Sequence, residues 1–409
     1  MRNYKIALVS DWYFPRVGGI EYAIDALGRG LVALGHEVRI IARLYGRAPA
    51  SEASNGLPII RLEGCPLSEY LLSPRGYRSL RETLRAGDFD IIHGHGLDSP
   101  MAMVSLTIAA KLGIPSIITS HSLLGDSLPQ RALAAGANIF LRPARAIIAV
   151  SSPVERQARA MFRGAVFRIP NGIDTSSPNG ALEPIALPQG HRPIIATVAR
   201  MNKRKRVQDL ITVATILVPK HPDLLFLMVG DGPLRLRLEQ GIQASGLGRH
   251  FLFTGGVSRA TVLHLLGQSD VFVSPSPREA FGICVLEAFL KKVPVVARGN
   301  TGVSDIISHE QTGFLAEDVA GIAHYIHTLI HNPELRSAVA HRAYEELDKY
   351  QWNTVARQVE DVYEFVKKPS RAKGGRVPPE RRTVSPGAKR SASPEGASPK
   401  DGASNRSVC

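Results

Sequence analysis

Two glutamates eight residues apart, Glu279 and Glu287, lie in the segment SPREAFGICVLEAFLKK, the first ahead of a helix start and the second inside the helix. Such a pair on a solvated helix flank would do nothing. Here Glu287 is enclosed by Val285, Leu286, Ala288 and Phe289, and the turn Ala280-Phe281-Gly282-Ile283 between the two glutamates offers unpaired helix-start amides to a phosphate. Arg200 and Lys205 follow an apolar run in VARMNKRKRV, where a bidentate guanidinium and a mobile ammonium suit a diphosphate. A plain basic surface loop is the alternative, since Lys203, Arg204 and Arg206 stand beside them. Near the start of the chain, Gly18-Gly19 follows Pro15-Arg16-Val17 and immediately precedes a helical pattern. Adjacent glycines there let backbone amides approach an anion at the positive end of the helix, or else form a tight loop with Glu21 as a charge partner of the helix start.

The elements that must hold these residues are legible as a rhythm. The short β-branched runs KIALVS, EVRIIAR, LPIIRLEG, DIIHGHG, PSIITSH and AIIAVS alternate with helical patterns, and after the polar stretch 176–192 the rhythm restarts with PIIATVAR, LLFLMVGDG, HFLFTGG, DVFVSPS, VPVVARG and GFLA. That alternation predicts two doubly wound, Rossmann-like α/β domains. The expected boundaries are 1–180 and 190–345, with a C-terminal helix over 346–366 returning towards the first domain and a disordered basic tail over 367–409. Every strand in the series ends in a polar or glycine-rich turn, so the functional residues collect at strand carboxyl ends and face a cleft between the domains.

Composition excludes several classes. Of 409 residues 44% are hydrophobic and 21% charged, which suits a folded rather than a disordered chain. Three scattered cysteines build neither a disulfide framework nor a zinc cluster, and a reducing cytoplasm is the simplest compartment. The net charge of +14 points first to nucleic acid or an anionic membrane, yet much of it sits in the Pro/Gly/Ser-rich tail, and that tail lacks the interleaved aromatics of single-strand binders. No specific nucleic-acid partner is expected. The chain has no GxGxxG fingerprint after the first strand, no phosphate-loop GxxxxGK[ST] motif, and no apolar run long enough to span a membrane. The expected location is cytoplasmic, at most peripheral on the cytoplasmic membrane face.

Taken in order, SDWYFPRVGGIE, IIHGHG, TSHS, VSSPVE, IPNGID, VARxxxxK, VGDGP, EAFGICVLE followed by PVVA, and TGFL resemble the signatures of glycosyltransferase family 4, retaining enzymes of the GT-B fold. The resemblance spans roughly residues 5–345, and its opening segment and ITSHSLLG look like lipid-directed members such as the catalytic subunit of phosphatidylinositol N-acetylglucosaminyltransferase.

The resemblance implies a role for each motif. Glu287 would hold the ribose hydroxyls of a sugar nucleotide and Glu279 would stand near the transferred sugar; Arg200 and Lys205 would neutralise the diphosphate, with Gly18, Gly19, Gly230, Phe281, Gly282 and Ile283 completing the donor site. His121 would reach the sugar beside the reacting carbon, although a capping histidine is the plain alternative. The acceptor side falls to the first domain, where Arg75, Arg78, Arg81 and Arg85 recur at helical spacing, Arg131, Arg142 and Arg145 follow, and His95 lines the cleft. Arg75, Arg78 and His95 are the acceptor candidates, and a lipid such as an inositol phospholipid is the expected acceptor.

The expected donor carries N-acetylglucosamine or another hexose, with a UDP-sugar favoured and no cofactor or metal needed. The single DxD, Asp88-Phe89-Asp90, precedes a strand at the end away from the cleft. Sugar-nucleotide epimerisation or hydrolysis, transfer to a soluble or polysaccharide acceptor, and a non-catalytic scaffold are the competing readings. Three departures from the family pattern stand out: Arg206 and Lys292 occupy usual glycine positions, and Thr301-Gly302-Val303-Ser304-Asp305 replaces the usual GGxxE.

Overall fold

The apolar runs become two parallel sheets. The computed structural model describes residues 3–16, 18–45, 51–54, 56–63, 71–125, 139–176, 181–190 and 192–368. The first sheet contains β1 (Lys5–Ser10), β2 (Glu37–Arg43), β3 (Ser51–Ser54), β4 (Leu57–Leu62), β5 (Ile91–His95), β6 (Ser116–Ser120), β7 (Ala146–Ala149) and β8 (Ala165–Arg168). Its order is β3-β4-β2-β1-β5-β6-β7-β8, parallel throughout except for the antiparallel edge pair β3 and β4. The second sheet, β9 (Ile194–Val198), β10 (Leu225–Val229), β11 (Phe251–Gly255), β12 (Val271–Ser274), β13 (Val295–Arg298) and β14 (Phe314–Ala316), runs β11-β10-β9-β12-β13-β14 and is parallel throughout.

Both orders reverse direction at one place, between β1 and β5 in the first sheet and between β9 and β12 in the second. Those are the topological switch points, and crossover helices leave a crevice at the strand carboxyl ends there. Gly18-Gly19 follows β1, Arg200 and Lys205 follow β9, and Glu279 follows β12. The candidate residues therefore share a location for a topological reason.

The helices start where the sequence supplies caps. In α2 (Pro74–Ala86), α3 (Pro100–Leu112) and α4 (Ser152–Met161) a serine side chain accepts from an amide one turn on and a proline occupies the first turn, a combination that favours helix initiation. By contrast α1 (Gly19–Ala33) starts at Gly18 with no side-chain cap, which leaves its first amides to other partners. The second half adds α5 (Asp209–Leu217), α6 (Arg235–Ala244), α7 (Arg259–Gly267), α8 (Ile283–Leu290), α9 (Val319–His331) and α10 (Pro333–Glu345).

The final helix, α11 (Trp352–Lys367), buries Val355, Ala356, Val359, Val362, Tyr363 and Val366 in the core formed by α1 and the first sheet. Gly30 of α1 permits this, since a Cβ there would lie 2.9 Å from the Ala356 methyl. The chain thus leaves the second sheet and closes on the first, and Met1–Lys368 forms one compact unit. The tail expected to be disordered lies, from residue 369 on, outside the described residues, as do Val17 and Arg131.

Candidate active site

Two helix starts approach one another across the crevice. A Cβ placed on Gly19, at the start of α1, would lie 3.4 Å from the Cδ1 of Ile283, the first residue of α8. Each terminus carries unpaired amides and the positive end of a helix dipole, so the space they flank favours an anion from both sides. Gly282 turns into α8 with φ of 97°, a left-handed conformation that costs glycine nothing. The TGVSD segment braces this turn: the Gly302 amide donates to the Glu279 carbonyl at 2.8 Å, and a Cβ on Gly302 would sit 2.0 Å from the Ala280 oxygen.

The charged groups are arranged around those amides. Lys205 Nζ donates to Glu279 Oε2 at 2.6 Å. Burial works against the Lys205 ammonium, but the Glu279 carboxylate outweighs it and holds the Lys205 pKa above its usual value. Glu279 and Glu287 are each only 9% exposed. Burial raises the Glu287 pKa while Arg259, whose Nε donates to Glu287 Oε1 at 3.1 Å, pulls it back. Arg259 also donates to the Asp174 carbonyl at 2.9 Å, which ties Glu287 to the segment joining the two sheets. Buried Glu21 folds back under Gly18, pairs with Arg16 at 3.3 Å and feels the charge of Arg200; burial raises its pKa against those two cations. Glu21 thus stands at this helix start as its charge partner. Cys284 stands among the same charges, and burial pushes its thiol up to about 12, so it remains a thiol near neutral pH.

Two of the expected donor residues, Phe281 and Gly230, are engaged by the fold itself. Phe281 is buried in the core and meets the Tyr350 ring edge-on, so its side chain anchors the turn and only its backbone faces the crevice. Gly230 spends its amide on the Gly255 carbonyl at 3.0 Å, and a Cβ there would lie 2.3 Å from the Ala199 oxygen. Its place is beneath the Arg200 loop, as backing. Glu287 already holds an arginine.

On the first-sheet side, His121 is half-buried at the end of β6, and its Nε2 lies 3.1 Å from His95 Nδ1. His95 rests against His93, with ring centroids 4.2 Å apart, and His93 bridges Tyr363 of α11 at 2.8 Å and Thr119 at 2.7 Å. Burial pushes the pKa of His93 down to about 3 and that of His121 down to about 4, and His95 well below the ordinary range, so the whole row is neutral at pH 7. His95 corrects the expectation of an acceptor contact: at 1% exposure it is a buried support for His121.

Arg75 and Arg78 lie exposed on α2, and Arg75, 82% exposed, pairs loosely with Glu63 at 3.6 Å. Neither is drawn into the group around Lys205 and Glu279. Arg81 and Arg85 share that exposed face, Arg142 is also exposed, and Arg145 donates to the Val366 carbonyl at the end of α11. Asp90 of the DxD accepts from the Lys5 amide and from Lys367, at the strand-entry end of β5, opposite the crevice.

Sequence reasoning missed a buried network beneath the crevice. Asp11, fully buried after β1, accepts from Arg43 Nε and Nη2 at 2.8 and 2.6 Å, from Ser99 Oγ at 2.7 Å and from the Met101 amide at 2.8 Å. It locks together the loops after β1, β2 and β5. Beside it the Asp98 carboxyl, raised in pKa by burial, leaves Oδ1 unpartnered. No local pattern marks these residues, because their partners lie tens of residues away. Across the crevice, Arg204 and Arg278 of the second half donate to the carbonyls of Leu123 and Leu124 in the first.

The chain matches two family models in succession, Glycosyltransferase Family 4 over residues 17–177 and Glycosyl transferases group 1 over residues 182–346. Among curated relatives it is 26% identical over 370 residues to a phosphatidylinositol N-acetylglucosaminyltransferase subunit of Arabidopsis thaliana, covering 88% of this chain and 81% of that protein. It is 27% identical over 368 residues to the phosphatidyl-myo-inositol mannosyltransferase of Mycolicibacterium smegmatis, covering 88% and 94%. Among solved structures, sucrose-phosphate synthase from Thermosynechococcus elongatus superposes with a TM-score of 0.73 at 23% identity, over 89% of this chain and 99% of that one. Anabaena HepE in complex with UDP and glucose superposes with a TM-score of 0.73 at 18% identity, over 89% and 100%.

Proposed function

Because the chain is a glycosyltransferase of the GT-B fold, a family 4 half followed by a group 1 half, we propose that it moves a sugar with retention onto an inositol-phospholipid acceptor at a membrane surface. The observation that carries the donor half of this reading is the approach of Gly19 at the start of α1 to Ile283 at the start of α8, next to the Lys205–Glu279 ion pair. The names of the curated relatives support the lipid half.

In this reading the diphosphate displaces Glu279 from Lys205 and takes up the ammonium together with the amides of Gly19 and the Gly282–Cys284 turn. The freed Glu279 carboxylate then turns to the sugar hydroxyls, and Glu287 accepts from the ribose with Arg259 fixing its other oxygen. The C1–O bond to phosphate breaks as the acceptor oxygen bonds to C1 on the same face, and the acceptor proton passes to the departing phosphate oxygen. Fixed cations and amides stabilise the charge that develops on the diphosphate. His121, neutral and held by His95, offers the sugar a hydrogen bond without adding charge beside the developing oxocarbenium. One buried carboxylate near the sugar does not make the acid and base pair of a glycosidase. The transfer needs no metal in this scheme, and the donor is a UDP-sugar, with N-acetylglucosamine as the transferred group.

Nucleotide release from UDP-, GDP- and ADP-sugars tests the proposal, measured with chelator present and with or without phosphatidylinositol vesicles. Release from one donor that depends on the vesicles is expected. Lipid-independent release would point instead to hydrolysis, epimerisation or a soluble acceptor.

A further inference from the structure

We propose that His221, His327 and His331 form a site for a borderline transition-metal ion of the zinc class, on the face of the second half opposite the crevice. His327 and His331 are one turn apart on α9, and His221 sits in the turn that follows α5. One donor nitrogen from each imidazole lies within 4.8 Å of the others. His221 Nε2 and His327 Nδ1 are 3.0 Å apart, close to the roughly 3.3 Å that two imidazole nitrogens span across a tetrahedral zinc with bonds of about 2.0–2.1 Å.

The surroundings fit a ligand set better than a chance cluster of rings. His331 Nδ1 meets the His327 carbonyl at 3.1 Å, which fixes the tautomer and leaves Nε2 as the free lone pair, the usual outer support of a metal-binding histidine. The His221 backbone is tied to the end of α5 by its amide bond to the Leu217 carbonyl at 2.9 Å. Underneath, α5 and α9 share a core of Leu210, Val213, Ala214, Leu217, Ile322 and Ile326, so the rings stand on a rigid base. Lys220 is the nearby charged group, and the donor set contains no carboxylate. Imidazole donors select zinc, copper, nickel or cobalt over magnesium and calcium, which require oxygen.

Both α5 and α9 run antiparallel to their strands, so the ends that carry these histidines lie at the strand-entry edge of the sheet, away from Lys205 and Glu279. A metal there joins two helices of the donor-side half with water at its fourth position, and by binding only the folded form it raises stability without entering the transfer step.

The test uses the full chain, stripped of metal and titrated with zinc against a chromophoric chelator, and with cobalt to read coordination geometry. Wild type is expected to bind one equivalent at this site and to give the intense visible bands of four-coordinate cobalt. His327→Gln and His221→Gln should each weaken zinc binding by at least about tenfold and abolish those bands. Zinc should raise the melting temperature of wild type and leave both variants unmoved, while magnesium in excess should not compete. Equal zinc affinity and equal cobalt spectra in wild type and both variants would overturn the proposal, and so would wild type that binds no zinc at micromolar concentration.

Discussion

In the proposed reading the Lys205–Glu279 pair is central to the crevice, because each group satisfies the other until a donor arrives. Removing the cation should therefore cost more in the transition state than in binding: Lys205→Met is expected to lower kcat/KM by about a hundredfold or more, read from initial rates of nucleotide release. Glu287→Ala should mainly raise the donor KM, by about tenfold or more, and leave kcat within a few-fold. The histidine row predicts a pH effect with a definite sign. His93 and His121 have native pKa values of about 3 and about 4, and His95 is also well below the unfolded value near 6.5, so the unfolded chain binds more protons in the window between. The stability these neutral rings contribute is present above about pH 6.5 and is lost as the pH falls towards 4. Denaturant midpoints measured across that range check it, with the midpoint falling as acid is added. Sequence reading singled out Lys205, Glu279, Glu287 and His121 because each stands in a short motif. It missed Arg259, Asp11 and the supporting role of His95, whose partners are distant in the chain and leave no periodic trace.

At the scale of elements, the departures from the family pattern turn out to preserve backbone shape. Arg206 and Lys292 adopt φ of 51° and 54°, the left-handed region that glycine enters without strain. Each has a local compensation, Arg206 in its ion pair with Asp209 at 2.8 Å and Lys292 over the Tyr344 ring at 4.8 Å. Glycine at either position would relieve about 1 kcal/mol of strain and lose a similar amount to chain entropy and the missing contact. Arg206→Gly and Lys292→Gly are therefore expected to shift stability by less than about 1 kcal/mol in denaturant melts. Gly302 is the opposite case. Its missing Cβ is what lets TGVSD brace the turn before α8, so Gly302→Ala should lower kcat/KM at least about tenfold with the far-ultraviolet spectrum retained. The strand-helix rhythm was readable because parallel strands buried on both faces are continuous apolar runs. Strands β3 and β8 escaped that reading, since SEAS is polar and AVFR is an edge strand in which only Val166 is buried.

For the whole molecule, two switch points explain why motifs spread over residues 18–287 come together at strand carboxyl ends. The return of α11 to the first sheet ties the halves into one unit, and through Tyr363 it also reaches the His93 end of the histidine row. Among the described residues no helix is long and apolar enough to cross a membrane. The most direct test of the central claim is the mass of the lipid product formed by the full chain with phosphatidylinositol vesicles, a UDP-sugar and chelator. The expected product is a phosphatidylinositol heavier by one transferred sugar, matched mole for mole by released nucleotide and suppressed about a hundredfold by Lys205→Met. Nucleotide release without a glycosylated lipid, at a rate that Lys205→Met leaves unchanged, would contradict both the acceptor and the site.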